Sequence, residues 1–264
     1  MPNIYFFGDT HNNIDIDKIF LPTYNNDDFI IVCGDFGVLW DYKFNNIHYS
    51  KGEKRLIKRI ESLPCTLLFV DGNHENFHRL AQLKSVERFG ADCGEYLADK
   101  CYHLKRGQIY NIAGYNIFTM GGALSVDKAY RVPNKSWWRG EAITDEQMEL
   151  GISNITNFSD KIDIAVTHTC PYSFLGELGR RIQIEHKMHD ENPLRLERLY
   201  STMVYNDKVP KWWFFGHWHS DVSFEVGDIS VYCLYYRAMK LISKNIVERL
   251  DYTKEILEIK SKKK

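Results

Sequence analysis

Thr66-Leu67-Leu68-Phe69-Val70-Asp71-Gly72-Asn73-His74-Glu75 is the stretch whose reading decides the fold. Its first five residues are apolar or β-branched and read as a short buried strand. The strand stops at Gly72, and an amide, an imidazole and a carboxylate follow at once. Taken alone, a strand followed by Gly-Asn is usually a turn. The chain, however, repeats the arrangement four more times. Ile4-Tyr5-Phe6-Phe7 runs into Gly8-Asp9-Thr10-His11, and Phe29-Ile30-Ile31-Val32-Cys33 into Gly34-Asp35. Ile162-Asp163-Ile164-Ala165-Val166-Thr167 ends at His168, and Trp212-Trp213-Phe214-Phe215 at Gly216-His217-Trp218-His219.

Between these strands the spacing changes from two to helical. Leu56, Ile57 and Ile60 share one face of 51–62, with Lys and Glu opposite, and Pro64 closes the segment. A short helix is also expected near 14–20. The first seventy-five residues thus read strand, helix, strand, helix, strand, which is the grammar of an α/β protein with parallel strands and helices packed outside. Further along, 78–88 is expected to be helical. Gln108–Ile112 and Asn116–Met120 flank Gly114 as a hairpin, and Thr144 opens a helix. A second hairpin is expected around Gly227-Asp228. Residues 121–143 form a long loop, 172–210 a mixed-charge insertion with a helix near 190–205, and 245–260 is strand or helix, its spacing not separating the two. The expected organisation is one domain over 1–264 with the 172–210 insertion before the last of the five strands.

Length and composition fit that reading. The chain has 264 residues, 44% hydrophobic and 26% charged, ordinary for a soluble globular domain with a sizeable core. Its net charge of −1 gives no general attraction to nucleic acid or anionic membrane. No apolar run approaches the roughly 20 residues of a membrane span, and Met1-Pro2-Asn3-Ile4 does not resemble a secretory signal. The six cysteines lack any CxxC pair and read as buried, reduced thiols of a cytoplasmic protein.

Strand ends of one sheet region converge in space, so Asp9, His11, Asp35, Asn73, His74, His168, His217 and His219 are candidates for a shared site. The set offers oxygen and nitrogen donors and no thiolate, which suits divalent Mn, Fe, Zn, Co or Ni. There are too many donors for one ion; two ions about 3.5–4 Å apart, with one carboxylate between them, would use them. In Asp9-x-His11 and His217-x-His219 the pairs are two apart, so on extended backbone both members face one side. His48, His78, His103, His186 and His189 follow no such pattern.

In order along 4–219, Asp9-x-His11, Gly34-Asp35, Gly72-Asn73-His74-Glu75, His168 and Gly216-His217-x-His219 resemble the motifs of the calcineurin-like metallophosphoesterase family. The resemblance implies a four-layer αββα sandwich, two mixed β-sheets face to face with helices outside, its second sheet completed by the C-terminal hairpin strands. It implies two divalent ions, one held by Asp9, His11 and His219, the other by Asn73, His168 and His217, with Asp35 bridging and His74 beside them as the catalytic acid. Such a pair of ions makes a bridging water acidic enough to attack a phosphate mono- or diester in line. The expected partner is a phosphate ester, nucleotides included, with no membrane. A nuclease is the rival within the enzymes, and a non-catalytic scaffold of the same fold the rival outside them. The 172–210 insertion is charge-balanced, six Lys/Arg against six Asp/Glu, which argues mildly against long nucleic acid as substrate.

Members that dephosphorylate proteins carry a further Asp three residues after the second-motif Asp, orienting the catalytic His; here Val38 stands there. Glu75 and Asp41 are the candidates to replace it. For substrate contacts, Arg131, Arg139, Arg180 and Arg181 offer guanidinium groups that match phosphate, and Trp137 and Trp138 offer faces on which a base or sugar can stack.

Overall fold

The computed structural model describes residues 2–43, 48–183 and 190–263. Three adjacent parallel strands, β1 (Ile4–Phe7), β2 (Phe29–Cys33) and β3 (Thr66–Val70), form the centre of the first sheet. A short 3₁₀ turn over Ile16–Phe20, rather than an α-helix, connects β1 to β2. Helix α1 (Lys51–Glu61) connects β2 to β3; the Ser50 side chain caps it, in a reciprocal box with Glu53.

The expected helix over 78–88 is not formed. One turn, α2 (Phe77–Leu80), capped by Asn76, gives way to strand β4 (Lys84–Arg88). That strand pairs with β5 (Ala91–Leu97) through a two-residue turn, in which Phe89 and Gly90 both adopt positive φ (57° and 81°). β4 is an edge strand with mostly exposed, charged side chains, so its own sequence carries no burial pattern. Strand β6 (Cys101–Leu104) then lies parallel to β3.

The second sheet begins with the expected hairpin, β7 (Gln108–Ile112) and β8 (Tyr115–Met120). The loop over 121–143 holds only two 3₁₀ turns, and α3 (Asp145–Asn157) follows, capped by Thr144 with Gln147. β9 (Ile164–Thr167) and the stretch 172–210 come next, the latter carrying α4 (Leu175–Ile182) and α5 (Asn192–Tyr205). These helices supply Leu178, Leu196, Leu199 and Met203 to the core over the second sheet. β10 (Trp212–Phe215) is followed by the hairpin β11 (Val222–Val226) and β12 (Ile229–Cys233). The ambiguous C-terminal stretch contains both candidates: β13 (Arg237–Ser243) leads into β14 (Ile246–Asp251), and α6 (Thr253–Lys263) follows.

The eight-stranded sheet has the order β14-β13-β1-β2-β3-β6-β5-β4 and the six-stranded one β11-β12-β10-β9-β8-β7. Alternation along each strand builds the layers. Ile4, Phe6, Ile31, Leu68 and Val70 face the other sheet, meeting Ile164, Val166, Trp212 and Phe214. Phe6 stacks on Phe214 with centroids 3.9 Å apart. The intervening Tyr5, Phe7, Ile30, Val32, Leu67 and Phe69 face outward and meet Leu56 and Ile60 of α1. On the far side Ala165, Trp213 and Phe215 pack under the helices. Each fully buried Phe or Leu contributes about 1.5–3 kcal/mol of transfer free energy. These two sheets with flanking helices are the expected αββα sandwich. The C-terminal strands divide between the sheets: β11 and β12 extend the second, whereas β13 and β14 extend the first. Among the described residues, no helix is long and apolar enough to cross a membrane. All six cysteines are free and buried.

Candidate metal centre

The parallel run β1-β2-β3 and the parallel pair β9-β10 bring their carboxyl ends to one edge of the sandwich. All eight residues singled out in the five strand-end motifs gather there. Asp35 is their hub. Its Oδ2 lies 3.2 Å from His11 Nε2, and its Oδ1 lies 3.2 Å from His168 Nε2. Donor atoms of His11, Asp35 and His219 all lie within 4.8 Å of one another, and so do those of Asp9, Asp35 and His168. Asn73 Oδ1 sits 3.1 Å from His168 Nε2 and 3.0 Å from His217 Nδ1. His219 Nε2 is 3.9 Å from Asp9 Oδ2.

The strand-end loops are tied to one another by backbone groups. The Asp35 carbonyl accepts from the Thr10 and His11 N–H groups, and the His74 N–H donates to Asp35 Oδ1 at 2.7 Å. The His217 N–H donates to Asp9 Oδ1 at 2.8 Å. Two glycines permit this closeness. A Cβ on Gly72 would stand 2.1 Å from Asp35 Oδ1, and one on Gly34, whose φ is 92°, would stand 2.1 Å from His168 Nδ1.

The electrostatics are those of a pocket that attracts cations. Burial drives the Asp9 carboxyl upward and the neighbouring Asp35 adds to it, with His168 opposing. Burial would raise Asp35 too, but His168 and His11 outweigh it and hold Asp35 well below the usual range. Burial works against charge on His11 and His168, yet the carboxylates around them lift these imidazoles to about 10 and about 9. Burial instead pushes His217 down to about 3 and His74 to about 4. Asp9 Oδ2 is buried with no hydrogen-bond partner among the described residues. An orphaned carboxylate oxygen in the middle of nitrogen and oxygen donors fits a divalent ion. His168 Nδ1 donates to the Cys33 carbonyl at 2.9 Å; a carbonyl only accepts, so Nε2 is the nitrogen aimed into the centre.

Supporting groups distant in sequence complete the arrangement. Asn73 Nδ2 donates to Ser125 Oγ at 3.2 Å, and Ser125 Oγ donates to buried Glu141 at 2.7 Å. This relay turns the Asn73 oxygen towards His168 and His217. Glu75 does not reach His74; it accepts from the Phe36 and Gly37 N–H groups and pins the loop after Asp35. Lys18, fully buried and pushed down to about 8 by that burial, donates to the carbonyls of Asp9 and Tyr235 at 2.5 and 2.6 Å. Asp71 is held by Arg106 and His103. Nothing in the sequence singles out Lys18, Ser125 or Arg106, because their partners come from other elements.

The group facing His74 is Arg131, not Asp41 or Glu75. Its guanidinium nitrogens lie 3.1 Å from Nε2 and 3.4 Å from Nδ1 of the imidazole, and Asp127 and the Ser136 carbonyl hold it in place. The other expected substrate contacts fare differently. Trp137 is half-buried, donates its indole N–H to Glu141 and carries Lys128 over its ring, and Trp138 is buried. Arg180 and Arg181 pair with Glu177 on their own helix α4. Arg139 is exposed in a 3₁₀ turn. His103 serves Asp71, and His186 and His189 lie outside the described residues.

The family model for calcineurin-like phosphoesterases matches residues 2–221. An archaeal phosphodiesterase of solved structure is similar at 14% identity and a TM-score of 0.41, covering 94% of this chain and 98% of its own. The phosphopantetheinyl hydrolase of Mycobacterium tuberculosis is similar at 15% identity and a TM-score of 0.46, covering 89% of this chain and 90% of its own. No curated protein matches the sequence.

Proposed function

The chain belongs to the calcineurin-like phosphoesterase family, and from that premise we propose that it hydrolyses a phosphate mono- or diester with two divalent ions. Asp9, His11 and His219 would hold one ion; Asn73, His168 and His217 would hold the other; Asp35 would serve both. When bound, the ions supply an acidified water as nucleophile and positive charge against the phosphoryl oxygens. The observation that carries this reading is the position of Asp35. Asp35 is shared by the compact donor groups His11–Asp35–His219 and Asp9–Asp35–His168, its Oδ2 towards His11 and its Oδ1 towards His168; Asp9, grouped there with His168, also lies 3.9 Å from His219 and so stands between the two proposed sets.

The chain's own residues divide the remaining work. The His74 backbone N–H on Asp35 sets its ring beside the donors, where the imidazole can give a hydrogen bond to the departing oxygen. Arg131 adds a guanidinium at the same place, suited to a non-bridging phosphoryl oxygen. The Ser125–Glu141 relay fixes the Asn73 amide so that its oxygen, not its nitrogen, faces the centre.

The test is a metal analysis together with turnover of aryl phosphate mono- and diesters under Mn, Zn, Ni and Mg in turn. Two ions per chain and metal-dependent hydrolysis are expected. Asp35→Asn should reduce turnover at least about a hundredfold, in line with loss of a single transition-state stabilising group. A folded Asp35→Asn variant with full turnover refutes the proposal.

A further inference from the structure

Asp9, His11 and His219, the three residues that would hold one of the two ions, lean on a single cluster. Asp15 Oδ2 faces His11 Nδ1 at 3.9 Å, while the other ring nitrogen, Nε2, meets Asp35. Tyr235 lays its ring on that of His219, centroids 4.8 Å apart and 13° from parallel, and its hydroxyl donates to Asp15 Oδ2 at 3.2 Å. The Tyr235 carbonyl accepts from Lys18, which also donates to the Asp9 carbonyl. Lys260, on α6, closes the cluster. It pairs with Asp15 Oδ1 at 2.5 Å and donates to the Tyr236 hydroxyl oxygen at 2.9 Å. In the other set, Asn73 rests on Ser125 and His168 on the Cys33 carbonyl.

This cluster is built into the fold. Asp15 is 2% exposed and Lys18 fully buried. The backbone that carries Tyr235, between β12 and β13, is pinned by Asp221, whose carboxylate accepts from the N–H groups of Tyr235, Tyr236 and Arg237. It passes so close to the end of β1 that a Cβ on Gly8 would stand 1.8 Å from the Leu234 carbonyl oxygen. An imidazole that binds an ion through one nitrogen carries its proton on the other, and a carboxylate facing that second nitrogen fixes the tautomer and the direction of the ring. At 3.9 Å Asp15 does so through charge rather than a direct hydrogen bond. His219 is the exposed ligand of its set, so the Tyr235 ring against it is what limits its swing. The span matched by the family model ends at residue 221, and Tyr235, Tyr236 and Lys260 all lie beyond it.

We propose that the C-terminal segment is a buttress for one ion site of the two. Lys260 acts through Asp15 on His11, and Tyr235 acts directly on His219 and through Lys18 on Asp9. Both are positioning residues: they set the affinity of the Asp9–His11–His219 site and leave that of the Asn73–His168–His217 site to the Ser125 side of the centre. The inference rests on the two-ion reading above. It adds that the two sites are supported by different parts of the chain and can be weakened one at a time.

The experiment titrates Mn(II) against a competing chelator in the full-length chain. His217→Ala disables one site and His219→Ala the other, so each background reports a single ion. In the His217→Ala background, Lys260→Met should weaken Mn(II) binding about tenfold, the low end for groups that orient metal ligands. Lys260→Arg, which keeps the charge on Asp15, should restore most of the loss. Tyr235→Leu should weaken the same site by a similar factor, and Tyr235→Phe, which keeps the ring on His219, should weaken it less. In the His219→Ala background Lys260→Met should change binding by less than about twofold, whereas Ser125→Ala should weaken it about tenfold or more. Binding unmoved by Lys260→Met in the first background overturns the inference. An equal loss in both backgrounds does so too, since it marks a general loosening of the fold. In either case the phosphoesterase reading stands if the wild-type protein binds two ions and hydrolyses esters. Wild-type protein that binds fewer than two ions overturns both.

Discussion

Replacing Arg106 by Met is the sharpest test of how the loop over 121–143 is held. Arg106 is 5% exposed and Asp71 1%. The guanidinium donates to Asp71 Oδ2 from Nε at 2.8 Å and from Nη2 at 2.6 Å. It also donates to the carbonyls of Gly140, Glu141 and Ala142 and to Gln147 Oε1. Methionine preserves the stem and removes all of these. The loop carbonyls can turn to water, so each costs only about 0.5–1.5 kcal/mol of net hydrogen bonding. Asp71 cannot escape, because it is buried at the end of β3 close against Gly121. Stranding one charge of a buried pair costs about 3–5 kcal/mol, and that sets the scale. Against a typical total of about 5–15 kcal/mol the variant folds but with a large deficit, and its Tm should fall by roughly 10 °C.

Guanidinium chloride unfolding at neutral pH measures the deficit. Asp71→Leu combined with Arg106→Met should be less damaging than Arg106→Met alone, because no charge is then stranded. The pH dependence has a defined sign. Burial would raise the Asp71 carboxyl, but the Arg106 charge and the His103 bond outweigh it and hold it far below the ordinary range. In the wild-type protein this stabilisation is complete above the unfolded value of about 3.9 and is lost as pH falls through the folded value. Without Arg106 only the His103 bond opposes burial and the carboxyl rises, so the wild type loses more stability than the variant as pH falls and the gap narrows below about pH 4. A single variant within 1 kcal/mol of wild type, or a gap that widens on acidification, refutes this account.

Three further predictions follow from the centre. Gly72→Ala places a methyl group 2.1 Å from Asp35 Oδ1; it should abolish metal-dependent turnover while far-UV circular dichroism stays that of the wild type. Ser125→Ala breaks the relay that orients Asn73; a competitive chelator titration should show metal affinity weakened about 10–100-fold, as for other groups that orient metal ligands. Arg131→Ala should lower kcat/KM about tenfold or more through loss of a charge-assisted hydrogen bond, with the larger change in KM; an unchanged KM would remove Arg131 from substrate binding.

How much of this was readable beforehand depended on where the information lay. The strands that carry Asp9, Asp35, Asn73, His168 and His217 are short, apolar and punctuated by glycine or a polar group, so both their existence and the convergence of their ends could be read locally. β4 and β5 could not. Lys84-Ser85-Val86-Glu87-Arg88 has no buried face, and Phe89-Gly90 is not a usual hairpin dipeptide. The surroundings of His74 are hidden from the sequence for a related reason. The carboxylates of Glu75 and Asp41 are the groups within local reach along the chain, whereas its neighbour in space, Arg131, is 57 residues away on an irregular loop. Trp137 and Trp138 are the aromatic pair the sequence offers, whereas in space it is half-buried Trp40, 34 residues from His74 in sequence, that stacks on the His74 ring and lines a cavity beside it. Pairings of this kind arise only once the two sheets have closed over their shared core.

The backbone at the centre has its own consequence. His11, Asp35, His217 and His219 have φ of 44°, 50°, 68° and 45°. A left-handed conformation costs a residue with a Cβ about 1–2 kcal/mol, so these four positions together work against folding by several kcal/mol. Glycine would relieve that strain at each of them, but it would leave the centre without a donor there. Selection for thermostability alone would therefore erode this edge of the sandwich first. The ability to gather donors is maintained here against the fold's own preference, and the large core between the sheets is what makes that opposition tolerable.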